Sequence, residues 1–210
     1  PSSSHTAGAA RLGKVARTIA GDEVAEVTFL LHGSFGKTYK GHGTDRALVA
    51  GIMGMEPSDE RLRDSLEIAK EKGINITFKD VDLGDYHPNT VKFLMKLKNG
   101  KECEVIGSSS GGGNIEINEI NGNEVKFTGA YSTIITSHKD IPGTVAKVTN
   151  ILYDSKVNIA FLTLGRSQKG KDATMTFEVD SKISEDLIEE IKKVDGIKKV
   201  ILINKIEDGE

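Results

Sequence analysis

Apolar positions recur three and four residues apart near the start of the chain, at Ala9, Leu12, Val15, Ala16 and Ile19. This spacing places them on one face of a helix over residues 7–19. A strand is predicted over residues 23–31, and further helices over about 44–53 and from Pro57 to Lys72, where Gly73 provides a stop. The first part of the chain therefore combines several helices with a single strand.

The period of the pattern changes to two between Ile74 and Phe127, which predicts a series of strands. Asn99-Gly100 and Asn121-Gly122 favour two-residue hairpin turns, because asparagine and glycine tolerate positive φ. Residues 1–128 thus predict an α/β sandwich, with a mostly antiparallel sheet and helices on one side. The stretch Gly-Ser-Ser-Ser-Gly-Gly-Gly-Asn over residues 107–114 interrupts the alternation. A flexible hairpin loop is the favoured interpretation, and a nest of backbone amides is the alternative.

A second set of elements follows Gly129. Strands are predicted over 131–136, 158–164, 173–179 and 197–203, and helices over about 145–152 and 184–194. The order βαββαβ is typical of a ferredoxin-like fold. We therefore expect an α+β protein with one domain over residues 1–128, a second over 129–206, and an acidic tail over 207–210.

Composition narrows the classes of function. The 28 basic and 31 acidic residues give a net charge of −3, so no basic surface points to nucleic acid. No apolar run approaches the roughly 18 residues of a membrane span. Cys103 is the single cysteine, which rules out an internal disulfide and fits a cytoplasmic protein. One thiolate is also too few for an iron–sulfur cluster or a cysteine-rich zinc site within this chain.

The densest concentration of chemical groups lies between His32 and Arg46, where two imidazoles, hydroxyls, cations and four glycines occur together. A glycine-rich passage from strand to helix can point backbone amides at an anion while nearby side chains react. This segment is therefore the predicted active site. His42 lies between Gly41 and Gly43, and an imidazole has a pKa suited to proton transfer near neutrality. The competing interpretation is that His42 caps the following helix or bonds within the loop.

The second domain resembles an ACT domain, an amino-acid-sensing module of metabolic enzymes. The residues that carry the resemblance are His138-Lys139-Asp140-Ile141-Pro142-Gly143 and Val157-Asn158-Ile159-Ala160. The resemblance implies homodimerisation through this domain and an amino-acid effector bound at the interface between the paired copies. Asp140, Gly143 and Asn158 are the implied effector-binding residues, with His138 as a further candidate.

The first domain resembles the β chain of iron–sulfur-dependent L-serine dehydratases in three motifs that occur in the same order. These are Pro1-Ser2-Ser3-Ser4-His5-Thr6, Gly33 to Asp45, and Gly107 to Asn114. The resemblance implies an L-serine ammonia-lyase that forms pyruvate and ammonia without pyridoxal phosphate. A [4Fe-4S] cluster would act as Lewis acid and be ligated by a separate α subunit. This chain would complete the active site and be inactive alone.

The resemblance also implies roles for particular residues. His42 and His5 are the catalytic candidates, and no residue of this chain is predicted to bind a metal. The substrate-binding candidates are Ser3, Ser4, Thr6, Ser34, Lys40, Gly43 and Thr44. Taken singly, residues of these types more often cap helices or form turns. His32 and His87 are expected to be structural, the former because some relatives carry tyrosine there.

Two other hypotheses remain open at this point. The order of elements also resembles the allosteric substrate-binding domain of some phosphoglycerate dehydrogenases, which likewise precedes an ACT domain. On that basis the chain would be a non-catalytic regulatory subunit that binds an amino acid or another anion. The third hypothesis is an amino-acid sensor that works as a homodimer without a partner.

Overall fold

The computed structural model describes residues 3–166 and 168–205, with side chains from residue 6 onwards. The chain divides into two compact units between Asn121 and Gly122, a few residues before the domain boundary expected from the sequence. The expected acidic tail, residues 207–210, lies outside the described residues. Within the described part of the chain, no helix has the length and apolar character needed to cross a membrane.

The first unit is a sheet with helices packed on one face. The elements are α1 (Ser3–Ala20), β1 (Val24–His32), α2 (Ser34–Thr38), α3 (Thr44–Ile52), a 3-10 turn (Glu60–Asp64), α4 (Ser65–Glu71), β2 (Asn75–Val81), β3 (Thr90–Leu97), β4 (Glu102–Gly111) and β5 (Asn114–Ile120). The strand order is β2-β1-β3-β4-β5, in which β1 runs parallel to β2 and the other neighbouring pairs are antiparallel. The predicted mostly antiparallel sheet is therefore confirmed.

The core of this unit lies between the sheet and the helices. Val27, Phe29 and Leu31 alternate along β1 and are fully buried. The ring of Phe29 stacks on Phe78 of β2 with centroids 4.9 Å apart, and meets Phe93 of β3 edge to face at 5.6 Å. These aromatic contacts join β1, which leads directly into the predicted active-site segment, to its two neighbouring strands.

Helices α1 and α3 cross with their backbones in direct contact. A Cβ atom on Gly13 would lie 2.5 Å from the carbonyl oxygen of Leu48, and one on Gly51 would collide with the carbonyl oxygen of Ala10. Both positions therefore require glycine. The crossing fixes α1 and α3 relative to each other more tightly than side-chain packing would.

The glycine- and serine-rich stretch over residues 107–114 is mostly strand. Strand β4 continues through Gly111, and the turn is limited to the residues that precede Asn114. The loop interpretation is therefore wrong for residues 107–110. The physical reason is burial by α1: Ser109 is 3% exposed, and a Cβ on Gly107 would lie 2.7 Å from Leu12.

The second unit has the predicted ferredoxin-like topology. Its elements are β6 (Asn123–Phe127), β7 (Ser132–Lys139), α5 (Thr144–Asp154), β8 (Ile159–Arg166), β9 (Asp172–Val179), α6 (Glu185–Lys192) and β10 (Ile197–Ile203). The four-stranded antiparallel sheet has the order β10-β7-β9-β8, with Ile134, Met175 and Phe177 buried against the two helices. The short strand β6 lies against β8 and β9.

Candidate active site

The segment from His32 to Arg46 folds as the end of β1, the short helix α2 and a loop that leads into α3. Gly33 precedes α2 with φ of 60°, and a Cβ there would lie 2.6 Å from the carbonyl oxygen of Pro88. A Cβ on Gly36 would lie 2.8 Å from the carbonyl oxygen of Leu31. These two glycines therefore let α2 sit directly on the end of the sheet.

The loop over residues 39–43 carries two of the predicted site residues. The ring of Tyr39 stacks on Phe78 with centroids 5.3 Å apart, which anchors the beginning of the loop to the sheet. Lys40 and His42 are exposed, and the Lys40 ammonium lies 5.7 Å from the centroid of the Tyr39 ring. The His42 backbone N–H donates to the carbonyl oxygen of Thr38 at 3.3 Å. The loop thus presents a cation beside an anchored aromatic ring, and an exposed imidazole two residues further along.

Parts of all three sequence motifs meet at the N-terminal end of α1. A Cβ on Gly43 would lie 3.6 Å from the methyl group of Thr6, in the first motif. On the next residues of the helix, a Cβ on Gly8 would collide with the Ser109 hydroxyl, in the third motif. The third motif therefore lies against α1 at the same end as the loop that carries His42.

Thr44 has the most unusual environment of the predicted site residues. It is the first residue of α3 and is 1% exposed. Its Oγ1 atom is buried without a hydrogen-bond partner in the described part of the chain. An unpaired buried hydroxyl costs about 1–3 kcal/mol. A ligand that hydrogen-bonds Thr44 would therefore recover part of that cost.

The remaining predicted residues of the first unit have simpler positions. Ser34 is exposed at the start of α2, where its carbonyl oxygen accepts a hydrogen bond from the Thr38 hydroxyl at 2.7 Å. The backbone of Ser3, Ser4 and His5 forms the first turn of α1. The side chains of these three residues lie outside the described part of the structure, so their roles stay predictions.

Two other histidines have structural environments, as the sequence suggested. Nδ1 of His32 accepts a hydrogen bond from the Leu83 backbone N–H at 3.0 Å, and Nδ1 of His87 accepts from the Asn89 N–H at 3.1 Å. A ring nitrogen that accepts an N–H bond carries no proton itself. These imidazoles hold the connections around β2 and β3 in place.

Sequence reasoning missed Arg11. Its Nη1 atom donates to the carbonyl oxygen of Gly113 at 2.8 Å, across 102 positions of sequence. It also missed the pair Thr90 and Ser108, whose buried hydroxyl oxygens lie 2.7 Å apart. No local spacing signals such pairs, because strand pairing and helix packing create them.

The predicted effector residues occupy both ends of the sheet in the second unit. Asp140 follows β7, and its Oδ2 accepts from Arg166 at 2.8 Å and from the Gly170 N–H at 3.0 Å. The Gly170 amide, together with Arg166, lowers the pKa of Asp140. Gly143, with φ of 93°, caps the nearby start of α5.

Asn158 lies at the opposite end of that sheet. It precedes β8, whose first residue pairs with the last residue of β9, and its Nδ2 donates to Asp180 at 2.7 Å. The eight-residue strands between the two ends are about 23 Å long at roughly 3.3 Å per residue. The structure therefore brings Asp140 and Gly143 together but does not bring Asn158 to them within one chain.

His138 and the outer strand complete the description of the second unit. His138 is 2% exposed, and burial lowers its pKa below the ordinary value of 6.5. Strand β8 is the edge of the sheet, where Phe161, Leu162 and Leu164 are 57%, 43% and 56% exposed. Three large, exposed apolar side chains on the last strand of a sheet are typical of an interaction surface.

Among the described residues, no group of three or more His, Cys, Asp and Glu side chains is placed to hold a metal ion. Cys103, the single cysteine, is buried in β4. This chain therefore does not offer, in the described part, a ligand set for an iron–sulfur cluster.

Comparisons with known proteins agree with both parts of the fold. The family model described as "Serine dehydratase beta chain" matches residues 1–73, and the ACT domain model matches residues 132–196. A D-3-phosphoglycerate dehydrogenase of Methanocaldococcus jannaschii is 31% identical over 137 residues, which are 65% of this chain and 26% of that protein.

Two L-serine dehydratase beta chains match most of this chain and most of their own length. The "L-serine dehydratase, beta chain" of Peptoniphilus asaccharolyticus is 46% identical over 188 residues, covering 89% of this chain and 85% of that protein. The "Probable L-serine dehydratase, beta chain" of Bacillus subtilis is 42% identical over 208 residues, covering 99% and 93%. Parts of the three motifs meet at one end of α1, and an ACT domain follows them in the sequence. The chain belongs to the serine dehydratase beta chain family.

Proposed function

We propose that this chain is the β subunit of an L-serine ammonia-lyase, which converts L-serine to pyruvate and ammonia. The observation that carries the proposal is the meeting of the three motifs at the N-terminal end of α1. The names of the two L-serine dehydratase beta chains, which are 46% and 42% identical to this chain, support the substrate and the reaction. The exposed loop with His42 supports a site that a second protein completes.

The proposed cofactor is a [4Fe-4S] cluster held by an α subunit, with no pyridoxal phosphate. Since the described residues of this chain do not fit as cluster ligands, the ligands are assigned to the partner. The cluster would supply Lewis-acid chemistry to the joint site. A single cysteine also fits the reducing cytoplasm, where we place the enzyme.

The proposed work of this chain is to bind and deprotonate the substrate. His42 takes the proton from the α-carbon of L-serine, because a neutral imidazole is a suitable base near pH 7. The Thr44 and Thr6 hydroxyls, with the backbone of Gly43, bind the carboxylate, and Lys40 adds a positive charge beside them. Ser34, Ser3, Ser4 and His5 remain further candidates for substrate contact and proton transfer.

The direct test is reconstitution from two separate chains. The purified chain and its α partner are mixed anaerobically, and pyruvate formed from L-serine is measured. We expect pyruvate from the pair and none from either chain alone. An inactive pair with an intact cluster would overturn the proposal.

A variant pair tests the role of His42. His42→Ala is expected to abolish turnover while leaving subunit assembly and cluster content unchanged, because its imidazole is exposed and the backbone carries the loop contact. Tyr153→Ala provides the control, since Tyr153 is 78% exposed on α5 of the second unit and lies outside the motifs. Turnover retained by His42→Ala would remove His42 from the mechanism.

The ACT domain is proposed to bind an amino-acid effector between two copies of this chain. Asp140 and Asn158 lie at opposite ends of one sheet, so one site that contains both requires residues from two copies. Pairing of two β8 edges would also cover Phe161, Leu162 and Leu164. The effector therefore binds only when two copies are paired, and its binding stabilises the pair.

A regulatory subunit without catalytic groups is the second candidate, favoured by the similarity to a phosphoglycerate dehydrogenase. On this hypothesis the partner alone retains activity and this chain only adjusts it. Measuring pyruvate formation by the cluster-loaded partner alone separates the two proposals.

A further inference from the structure

Asp45 is a buried acidic residue beside the candidate active site. It is the second residue of α3, directly after Thr44, and is 9% exposed. Its backbone N–H donates to the carbonyl oxygen of Tyr39 at 3.4 Å. The loop that carries His42 therefore closes at Asp45, where it enters α3.

The carboxylate of Asp45 lies at the N-terminal end of α3. Its Oδ1 atom accepts a hydrogen bond from the Arg46 backbone N–H at 2.8 Å. The first N–H groups of a helix point out of its N-terminal end, so an acceptor of such a bond lies at that end. Gly43 precedes the same end, and a Cβ there would lie 3.6 Å from the methyl group of Thr6. Asp45 thus shares this helix end with residues proposed to bind the substrate.

The environment of Asp45 does not supply a positive charge. In the described part of the chain, the Arg46 backbone N–H is its one hydrogen-bond partner through the carboxylate, and no cationic side chain pairs with it. Asp59 and Asp140 are less buried, yet each bonds an arginine side chain. Removing an ion from water is costly unless a counter-ion or several hydrogen bonds replace the solvent. Asp45 is therefore suited to receive a cation from outside the described chain.

Stabilisation of α3 alone does not explain this burial. An acidic residue in the first turn of a helix interacts favourably with the partial positive charge there, and this interaction requires no burial. The acidic residues in the first turns of α4 and α6, which are Glu67, Glu185 and Asp186, are all exposed. Asp45 differs from them in its burial and in its neighbour Thr44, whose hydroxyl is buried without a partner in the described structure.

We propose that Asp45 binds the α-ammonium group of the substrate and thereby selects amino acids over 2-hydroxy acids. An α-amino acid carries its ammonium and carboxylate groups on the same carbon atom. It therefore needs a negative group close to a hydrogen-bond donor, and the adjacent residues Asp45 and Thr44 provide the two. The inference rests on the proposed function for the location of the substrate site.

The test uses Asp45→Asn, which keeps the shape of the side chain and the oxygen that accepts from Arg46 but removes the charge. Asp186→Asn is the matched control, since Asp186 is an exposed first-turn aspartate of α6. Calorimetry gives the dissociation constants of L-alanine and L-lactate for the reconstituted pair. These two ligands differ only in carrying an ammonium or a hydroxyl group on the α-carbon, and neither has the hydroxyl group that L-serine loses. The kcat and KM for L-serine, subunit association and the urea midpoint are measured for each variant.

The wild-type pair is expected to bind L-alanine about 10- to 100-fold more tightly than L-lactate, as a hydrogen bond between charged groups would provide. Asp45→Asn should remove most of this preference by weakening the binding of L-alanine. It should raise KM for L-serine by a similar factor and change kcat less, because the contact is present before and during the reaction. Asp186→Asn should change neither the preference nor KM, and both variants should keep the wild-type urea midpoint closely.

Two binding results would overturn the ammonium site: equal affinity of the wild-type pair for L-alanine and L-lactate, or a preference that Asp45→Asn retains. Loss of subunit association in Asp45→Asn would also overturn it, by assigning the carboxylate to a cation of the partner chain. A wild-type pair that forms no pyruvate would overturn the proposed function, while the two dissociation constants would still decide whether Asp45 recognises an ammonium group.

Discussion

Replacing Thr44 by valine is expected to stabilise the chain and impair turnover at the same time. Thr44 is 1% exposed, and its hydroxyl is buried without a partner in the described structure. Valine has the same branched shape and a similar helix propensity, so the substitution removes the hydroxyl and little else. The variant therefore separates the contribution of Thr44 to the fold from its contribution to the site.

The expected size of each effect follows from the burial. An unpaired buried polar group costs about 1–3 kcal/mol, and a buried water can offset part of that cost. We expect Thr44→Val to raise the free energy of unfolding by about 1 kcal/mol, or roughly 0.5 M in the urea midpoint. Loss of a hydrogen bond to a charged carboxylate should lower kcat/KM about 10- to 100-fold.

The assay combines urea unfolding of the chain with pyruvate formation by the reconstituted pair. Thr136→Val is the control, because Thr136 is equally buried in the second unit and its hydroxyl is also unpaired in the described structure. The control should gain stability without losing kcat/KM.

Two results would refute the reasoning. A loss of about 1 kcal/mol or more in Thr44→Val would show that the hydroxyl is paired in the free chain. A gain in stability with unchanged kcat/KM would show that the orphaned hydroxyl does not contact the substrate. The second result would leave the carboxylate site to be sought elsewhere among the motif residues.

Three further predictions address packing, protonation and assembly. Gly51→Ala should lower the free energy of unfolding by about 2 kcal/mol or more in urea melts, because its Cβ would collide with the backbone of Ala10; Gly41→Ala, with its nearest neighbouring atom 3.9 Å away, should leave stability almost unchanged. Burial holds the pKa of His138 below 6.5, so the unfolded chain takes up the proton first as the pH falls. The free energy of unfolding should therefore be highest above about pH 6.5 and fall below it. His138→Gln should flatten this pH dependence in unfolding curves measured from pH 7.5 to pH 5. On the proposal that two copies pair through β8, Leu164→Lys should give monomers in sedimentation experiments, whereas a persisting dimer would place the interface away from β8.

The elements that sequence periodicity predicted are those whose burial follows a simple repeat. The apolar face of α1 and strands β3 and β5 of the first unit are of this kind. Helix α2 was missed because five residues are too few to show a period, and one of them is Gly36. Residues 107–110 have the composition of a loop, while the contacts that make them strand come from α1 and β5.

The candidate site, too, was predictable from the sequence only in part. The motifs indicated which segments matter, and the structure places Thr6, Gly43 and Ser109 around one helix end. The unpaired hydroxyl of Thr44 could not be predicted, since burial depends on how α3 packs. Arg11 resembled an ordinary charged helix residue, because its partner is supplied by a distant hairpin.

The glycine crossing of α1 and α3 has a mechanical consequence. Gly13 and Gly51 each lie about two helical turns, roughly 10 Å, beyond the site residues Thr6 and Thr44. Backbone contact at Gly13 and Gly51 and the approach of Thr6 to Gly43 therefore hold the two helices together at both ends of this stretch. Their N-terminal ends carry two of the three motifs. A partner that docks there would meet two helix ends whose separation the glycine contacts have already fixed.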